Sequence, residues 1–255
     1  MNSCSRTGRP PSAPARRPDP VPDQTLDPAQ TAQIASRLRQ LYVAAVYDIM
    51  DEMGLPNQCL ALGIRPLQPT MKVAGPAFTM VGGPDPRTNE EYDDVPVARN
   101  FEFFKLLTDG CVIVLDAGGE HQCGHWGELM SNVARQRRAS GIVIDGGIRD
   151  SALVCEIPGW SAFARYTSPI ESRLRYRIRA VERPIAMSGT LSSQVRVEPG
   201  DWIFGDADGV VVIPRARLEE ILTRAEAMED IEAKARAEIQ RGVDFTDVLE
   251  RYGRM

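Results

Sequence analysis

The sequence is poor in the side chains on which several common kinds of site depend. It contains two histidines and only three lysines, Lys72, Lys105 and Lys234, although Lys and Arg together number 30. Its five cysteines lack CxxC spacing, so neither a disulfide framework nor a zinc knuckle is indicated, and a reduced cytoplasm fits best. No apolar run reaches membrane-spanning length, and the N-terminus lacks the apolar region of a secretory signal. The net charge of -5 argues against a general nucleic-acid binder.

The chain does contain enough apolar sequence to bury a core. Residues 1–26 are rich in Pro, Arg and Ser and predict a disordered tail, which leaves residues 27–255 as a single domain. Asp27 and Pro28 are typical of a helix N-cap and first turn. A second helix is predicted from Val43 to Met53.

Further segments have the pattern of helices, strands or loops. A polar loop is predicted over residues 84–94, and an amphipathic helix over Phe101 to Leu107. A long charged helix is predicted from about Arg215 to Gln240 and ends at Gly242. Extended segments are predicted at 65–83, 157–165, 184–187, 194–197 and 199–214.

The middle of the chain predicts a strand, a helix and a second strand. Apolar runs at Cys111–Asp116 and 142–145 are typical of strands buried on both faces. Apolar residues at helical spacing between them predict an amphipathic helix with a stripe of Trp126, Leu129, Met130, Val133 and Ala134. We expect the two strands to be parallel, so the loops at 116–127 and 146–150 should emerge at the same edge of the sheet.

The end of the second strand is the part of the chain most suggestive of function. Gly146 and Gly147 predict a sharp turn, and Arg149 and Asp150 follow directly. Ligands of open α/β sheets bind outside the carboxyl ends of strands, so these charges lie where chemistry usually occurs. The alternative is an ordinary turn with a solvated ion pair. The first turn of the helix, near Glu128, should face Arg149 across a cleft, and a helix N-terminus is a ready anion site.

An α-keto acid would suit this cleft. Arg149 and the helix amides could hold its carboxylate, and Asp150 could ligate a hard divalent cation such as Mg²⁺. Such a cation would act as a Lewis acid on the enolate that forms in aldol cleavage or decarboxylation. The rival aldolase chemistry needs a desolvated Schiff-base lysine, and none of the three lysines lies at a strand end here. The sequence therefore favours a metal over an imine.

Two other motifs carry less weight. The loop with His121, Cys123 and His125 offers soft-metal ligands, but its spacing is not a usual structural zinc pattern, so zinc is not favoured. Asp206 and Asp208 resemble the start of a calcium loop without its distal Glu, which favours a turn.

Six segments together are similar to one known family. They are Asp48–Gly54, Val73–Thr79, Gly127–Leu129, Gly141–Asp150, Pro199–Asp201 and Asp206–Pro214. Over about residues 30–242 the chain resembles the family of the regulator of ribonuclease activity A and the 4-hydroxy-4-methyl-2-oxoglutarate aldolases. The resemblance implies an α/β fold of the β/β/α swivelling-domain type, like the phosphohistidine domain, with N-terminal helices and a long C-terminal helix. It also implies a homotrimer or a hexamer, and class II pyruvate aldolase and oxaloacetate decarboxylase activity with Mg²⁺ or Mn²⁺.

The same resemblance implies which residues bind the substrate and the metal. Arg149 binds the 2-oxo acid at a site that includes Gly127. The backbone amides of Leu129 and Met130 take the substrate carboxylate. Asp150 ligates the metal.

Two acidic residues are implied to complete the site. Glu128 helps to hold metal-bound water and relays protons, although some relatives carry Asp at this position. A Glu from the C-terminal helix of a neighbouring subunit also reaches the metal-bound water. Glu232 is the best match for it, with Glu229 one turn earlier as the fallback.

Functions of other classes stay open at this point. Some relatives inhibit a ribonuclease through their surface, so a regulatory binding protein is the main alternative. The intact Arg149 and Asp150 pair with Glu128 favours the enzyme. A methyltransferase is a minor third possibility, because no cofactor-binding glycine motif supports it.

Overall fold

The structure, a computed structural model, describes residues 26–93 and 97–253. The tail predicted over residues 1–26 lies outside these residues, apart from Leu26, and stays a prediction. In the described ranges, no helix is both long enough and apolar enough to cross a membrane.

Seven α-helices and three short 3-10 helices are present in the described residues. The α-helices are α1 (Pro28–Gln40), α2 (Val43–Glu52), α3 (Asn89–Asp93), α4 (Glu128–Gln136), α5 (Ser151–Cys155), α6 (Leu218–Gln240) and α7 (Phe245–Tyr252). The 3-10 helices cover Pro56–Gln58, Val97–Leu106 and Arg215–Arg217.

Eleven strands accompany them in the same part of the chain. They are β1 (Arg65–Pro66), β2 (Val73–Pro84), β3 (Val112–Asp116), β4 (Gly124–Trp126), β5 (Gly141–Ile148), β6 (Ser161–Thr167), β7 (Tyr176–Val181), β8 (Ile185–Ser188), β9 (Gln194–Val197), β10 (Trp202–Asp206) and β11 (Gly209–Ile213).

Nine of the described strands form one mixed sheet. Its order is β1-β6-β5-β3-β2-β10-β11, with β4 beside β5 and β7 beside β2. Strands β2, β3, β5 and β6 are parallel to their neighbours within that group, and β8 pairs with β9 in a separate two-stranded sheet. Asp116 is in register with Asp145, so β3 and β5 run side by side to the same edge. The predicted α/β class and the parallel strand-helix-strand unit are confirmed.

Both faces of the central strands are buried, which explains their unbroken apolar sequence. In β3, Ile113 and Leu115 join one cluster of buried side chains, while Val112 and Val114 join another on the opposite face. A third cluster lies where α1, α2 and α6 pack against β10 and β11. The core therefore surrounds the strands that carry the Arg149 and Asp150 segment.

The N-terminal and C-terminal helices pack on each other as well as on the sheet. The predicted cap of α1 is confirmed, because the Asp27 side chain accepts a hydrogen bond from the Gln30 backbone and the Gln30 side chain accepts one from the Asp27 backbone. Arg37 of α1 donates to Glu226 of α6 at 2.7 Å. The long C-terminal helix is confirmed, and it ends just before Gly242, whose φ of 84° suits glycine.

Several elements differ from the predictions. The predicted helix near Phe101 is a 3-10 helix, and a short helix, α3, lies in the predicted polar loop. Strand β7 and helices α5 and α7 were not predicted. In β7 the charged Arg177 and Arg179 are exposed while Tyr176 is buried, so the strand has one solvated face. The alternation of apolar and charged residues over 176–179 could have indicated this strand.

Asp206 connects the β10-β11 turn to the N-terminal helices. Its Oδ1 accepts a hydrogen bond from the Asp208 backbone at 2.9 Å, which confirms the predicted turn. Its Oδ2 accepts one from the Val43 backbone at 2.8 Å, and Tyr42, the N-cap of α2, makes no side-chain cap bond. The buried carboxylate therefore caps α2 from another element of the fold.

Asp206→Ala should lower the free energy of unfolding by about 1–3 kcal/mol, because it leaves the Val43 amide buried without its acceptor. Urea unfolding followed by circular dichroism measures this. Asp208→Ala is the matched control in the same turn, and its exposed side chain should make the change less than about 0.5 kcal/mol. Equal losses in the two variants would contradict the capping role.

Candidate functional site

Strand β5 continues further than the sequence predicted. Gly146 and Gly147 lie inside the strand, so the expected sharp turn at these glycines is wrong. They are needed for close packing instead, since a Cβ on Gly146 would lie 2.7 Å from Nδ1 of His125. The chain turns at Asp150, which has a φ of 57° and is the N-cap of α5. Aspartate tolerates this left-handed conformation better than most residues.

Strand β4 brings the start of α4 against this turn. Gly124 pairs with Gly147 and Trp126 with Ile148, so β4 lies parallel to the last residues of β5. Gly127 then begins the helix. A short strand in the predicted 116–127 loop was not anticipated, but the predicted meeting of the two loops at one edge is confirmed.

Asp150 and Gly127 approach each other so closely that a side chain at residue 127 would not fit. A Cβ there would lie 2.7 Å from Oδ2 of Asp150 and 3.0 Å from Cγ of Arg149. The Glu128 amide donates to the same Oδ2 at 3.3 Å. The structure thus brings together four residues that the sequence singled out, Gly127, Glu128, Arg149 and Asp150.

The charged groups of this site remain open to solvent. Nε of Arg149 lies 3.4 Å from Oδ1 of Asp150, and 36% of each side chain is exposed. This is a long hydrogen bond, so both groups keep capacity for another partner. Glu128 is half-buried and accepts a hydrogen bond from the amide of Asn132, one turn along α4. Asn132 is a neighbour that the motifs had not indicated, although its i+4 position could have suggested it.

A cleft of about 450 Å³ opens beside Arg149 and Asp150. It is lined by these two residues, Ser151, Ala152, Leu153, Thr167, Ser168 and Pro169, and we call it the Arg149 cleft. Thr167 is the last residue of β6 and Ser168 follows it, and the position of β6 next to β5 could not be inferred before the sheet order was known. The cleft therefore lies beyond the carboxyl ends of two parallel strands, as ligand sites of such sheets do.

The first turn of α4 points unpaired backbone amides away from the helix. Its N-cap, Gly127, makes no side-chain cap bond, and the amides of Leu129 and Met130 lie in the turn that has no intrahelical acceptors. The side chain of Leu129 is 77% exposed. These amides can receive an anion.

The predicted apolar stripe of α4 is wrong in part. Trp126 belongs to β4, and Leu129 and Val133 are exposed. Ala134 is buried as predicted and Met130 packs against the same core cluster, whereas the buried Ser131 was not part of the predicted stripe. Ser131 could be buried because its hydroxyl bonds both the Trp126 indole and the Gly127 carbonyl, a pairing that apolar periodicity does not reveal.

Glu232 and Glu229 lie on α6, and the side chains of both contact residues of the same chain. Glu232 accepts a hydrogen bond from the Tyr42 hydroxyl and lies 4.0 Å from Arg236. Glu229 accepts one from Arg236 at 3.3 Å. Neither lines the Arg149 cleft of its own chain.

A second cluster of ligand-type side chains lies in the loop before β4. Glu120, Cys123 and His125 place a carboxylate oxygen, a sulfur and a ring nitrogen within 4.8 Å of one another. We call these residues the Glu120 cluster. The sequence had grouped His121 with Cys123 and His125, whereas the structure leaves His121 exposed and brings in Glu120.

Burial and hydrogen bonds together determine the protonation states of the three side chains in the Glu120 cluster. Burial holds the pKa of His125 below its ordinary value, so its ring is neutral at pH 7. Burial and a hydrogen bond to Glu120 raise the pKa of the Cys123 thiol to about 12. Burial would raise the pKa of Glu120, but bonds from Cys123 outweigh it and lower that pKa. The cluster therefore holds a carboxylate, a thiol and a neutral imidazole.

Comparisons with known proteins agree with the sequence motifs. The model of the RraA-like family, described as Aldolase/RraA, matches residues 43–212. A protein of Halalkalibacterium halodurans that is named, provisionally, as a 4-hydroxy-4-methyl-2-oxoglutarate aldolase is 31% identical over 79% of this chain and 87% of its own. Protein DlpA of Legionella pneumophila is 26% identical over 92% of this chain, which spans only 36% of DlpA.

A solved structure shows the same fold. Streptomyces coelicolor RraAS2, titled an unusual member of the RNase ES inhibitor RraA protein family, superposes with a TM-score of 0.68. It is 27% identical, and the match covers 81% of this chain and 98% of RraAS2.

Gly127→Ala should destabilise the protein by about 1–3 kcal/mol, because the added methyl group would overlap the Asp150 carboxylate. Denaturant unfolding measures the loss. Gly63→Ala is the control, since a Cβ at Gly63 would meet only the flexible end of Arg165 at 3.3 Å. If Gly127→Ala proved as stable as this control, the close approach of Asp150 would be wrong.

Proposed function

Because the chain belongs to the RraA-like family, Aldolase/RraA, we propose that it is a class II pyruvate aldolase and oxaloacetate decarboxylase that depends on a divalent metal. Its substrates would be 4-hydroxy-2-oxo acids such as 4-hydroxy-4-methyl-2-oxoglutarate. The observation that carries this proposal is that Arg149 and Asp150, which line one cleft, meet the open first turn of α4, whose Glu128 amide donates to Asp150. The name of the Halalkalibacterium halodurans relative supports the same substrate class.

The cationic part of the site suits the 2-oxo acid end of such a substrate. Arg149 can pair with a carboxylate through two parallel N–H groups, which fixes orientation as well as charge. The amides of Leu129 and Met130 add dipoles of the same sign. Together they would hold the substrate with its keto oxygen toward the acidic residues.

The acidic part of the site fits Mg²⁺ or Mn²⁺. Asp150 and Glu128 offer hard carboxylate oxygens, and the exposure of Asp150 leaves space for the waters that Mg²⁺ retains. Asp150 would ligate the ion directly and Glu128 through water. When bound, the ion supplies Lewis-acid stabilisation of negative charge on the keto oxygen, worth several kcal/mol. Glu128 is then placed to hold and return a proton.

The positions of the lysines support this chemistry over an imine. The Lys72 ammonium donates to the carbonyl oxygens of Arg39 and Leu41, and Lys105 lies 3.9 Å from Glu102. No lysine is among the residues that line the Arg149 cleft. A Schiff base would need an uncharged lysine at the reacting carbon.

We also propose that the active protein is a homotrimer or a hexamer with the swivelling-domain fold of the family. Leu129, Val133, Leu153 and Ile170 expose apolar surface around the Arg149 cleft, and a neighbouring subunit would bury it. Glu232, or Glu229 as the fallback, would then complete the metal's water shell from the neighbour. Free thiols at the four described cysteines fit the cytoplasmic location that we propose.

The second candidate is a regulatory protein that inhibits a ribonuclease. The similarity to RraAS2, whose title names an RNase ES inhibitor family, favours it. Inhibition lost on charge reversal of surface residues, with no turnover of any keto acid, would support this candidate instead of the enzyme.

Oxaloacetate should lose carbon dioxide faster with protein and Mg²⁺ than with Mg²⁺ alone, and excess chelator should remove the difference reversibly. Asp150→Ala should abolish turnover, since it removes the metal ligand. Arg149→Lys should be severely impaired, each tenfold loss corresponding to about 1.4 kcal/mol. A coupled assay of pyruvate formation over a panel of 4-hydroxy-2-oxo acids compares the rates of the wild type and the two variants.

Glu156→Gln is the matched control for these variants, because Glu156 is an exposed acid just beyond α5 and should leave the rate unchanged. Full activity in excess chelator would contradict the metal mechanism. So would inactivation by borohydride in the presence of pyruvate, with a label on Lys72 or Lys105.

Mixed oligomers should show whether a neighbouring Glu232 acts at the site. Arg149→Ala and Glu232→Gln should each lower the rate, and oligomers assembled from both variants should recover activity, because some sites would combine intact halves. Rate measurements after co-refolding test this. Activity that stays at the level of the separate variants, or a fully active monomer, would contradict the shared site.

A further inference from the structure

The Glu120 cluster plays no part in the proposed aldolase chemistry, yet it has the composition of a metal site. A carboxylate, a thiol and an imidazole converge within 4.8 Å. Two ligands of one tetrahedral zinc ion lie about 3.3–3.7 Å apart, given bonds of 2.0–2.3 Å. Small side-chain movements are therefore enough to place all three atoms on one ion.

Buried polar atoms without partners point to a missing ligand here. Nε2 of His125 lies 2.8 Å from Oε2 of Glu120, but the two are not aligned as a hydrogen bond. Among the described residues this buried nitrogen has no hydrogen-bond partner, and His125 is only 3% exposed. The Tyr176 ring lies edge-on to His125, 4.5 Å away between centroids, and its buried hydroxyl also lacks a partner in the described chain. Such atoms are rare unless an ion or water satisfies them.

The Gly147 backbone contacts the other ring nitrogen of His125. The Gly147 amide donates a hydrogen bond to Nδ1 at 2.9 Å, and the Gly147 carbonyl oxygen lies 3.3 Å from the same nitrogen. While Nδ1 accepts from this amide, the proton of the neutral ring lies on Nε2, beside Glu120. For Nε2 to bind an ion, the proton must move to Nδ1, where the Gly147 carbonyl would become its hydrogen-bond partner. A backbone carbonyl in this place is the usual outer partner of a ligating imidazole.

We propose that Glu120, Cys123 and His125 bind a zinc ion at a site separate from the Arg149 cleft. Sulfur and imidazole ligands select zinc over the magnesium expected at Asp150, which prefers oxygen. The thiol must ionise, so binding one Zn²⁺ to the neutral imidazole, the carboxylate and the Cys123 thiol releases one proton to solvent. Water can supply a fourth ligand.

The ion would fix the loop that leads into the candidate active site. Residues 117–123 connect β3 to β4, and Gly127 follows β4 directly. Ser168, which lines the Arg149 cleft, holds the same loop by donating to the Gln122 carbonyl at 2.8 Å. Zinc would therefore act on the position of α4 rather than on the substrate.

Metal uptake by the full chain tests the proposal. Protein made without a histidine tag would be stripped with chelator, supplied with Zn²⁺ alone, desalted and analysed by mass spectrometry for bound metal. Wild type should retain one zinc ion per chain, and zinc should raise its melting temperature. Cys123→Ser and Glu120→Gln should each bind zinc at least tenfold more weakly and lose the thermal shift.

Two controls separate this site from its surroundings. His121→Gln changes the neighbouring histidine that the cluster does not include, and it should bind zinc as wild type does. Asp150→Ala should also retain zinc even though it removes the proposed magnesium ligand, so failure of the aldolase proposal leaves this one standing.

Cobalt identifies the ligands directly and does not depend on the stability of any variant. Co²⁺ bound to wild type should give a thiolate-to-cobalt charge-transfer band, which Cys123→Ser should lose and Cys155→Ser should keep. Circular dichroism establishes that each variant is folded. Stripped wild type that takes up no zinc, or a folded Cys123→Ser with the wild-type cobalt spectrum, would overturn the proposal.

Discussion

The candidate site depends on how closely the backbone of β4 and the start of α4 approach the end of β5. Neither Gly146 nor Gly127 has room for a Cβ, because His125 fills the space above the first and Asp150 the space beside the second. Placing Arg149 and Asp150 against a helix N-terminus therefore requires positions without side chains on both segments. The charges can stay partly solvated because the packing is carried by backbone and not by the charged groups themselves.

Much of this arrangement could be predicted from local sequence. Unbroken apolar runs predict β3 and β5, because a strand buried on both faces does not alternate apolar with polar residues. Parallel pairing of the two strands then places their loops at one edge of the sheet. Gly146 and Gly147 were misread, because a glycine required for packing and one required for a turn look the same in a sequence. Likewise, the sequence could assign Asp206 to a turn but not to the capping of α2. The Val43 amide that donates to Asp206 lies 163 positions away in the chain.

Two neighbouring clusters illustrate how burial divides the chemistry of one loop region. Glu128 and Asp150 are reachable by water and offer only oxygen atoms, as a hydrated hard cation requires. Cys123 and His125 lie a few residues earlier and are buried, so sulfur and a neutral ring nitrogen face each other out of solvent. The two sets stand close together in the sequence, and only burial in the fold separates them, since Cys123 and all of β4 are buried.

Strands β3 and β4 occupy successive stretches of the same edge of β5. β3 pairs with β5 as far as Asp145, β4 pairs with it from Gly147, and β6 takes the other side, so the two behave as one interrupted strand. Residues 117–123 leave the sheet, and the chain returns to the same edge of β5 with a shift of register between Gly124 and Trp126. Because the pairing of β4 with β5 fixes where this excursion ends, homologous chains can differ in length before Glu120 while the geometry around Asp150 stays the same.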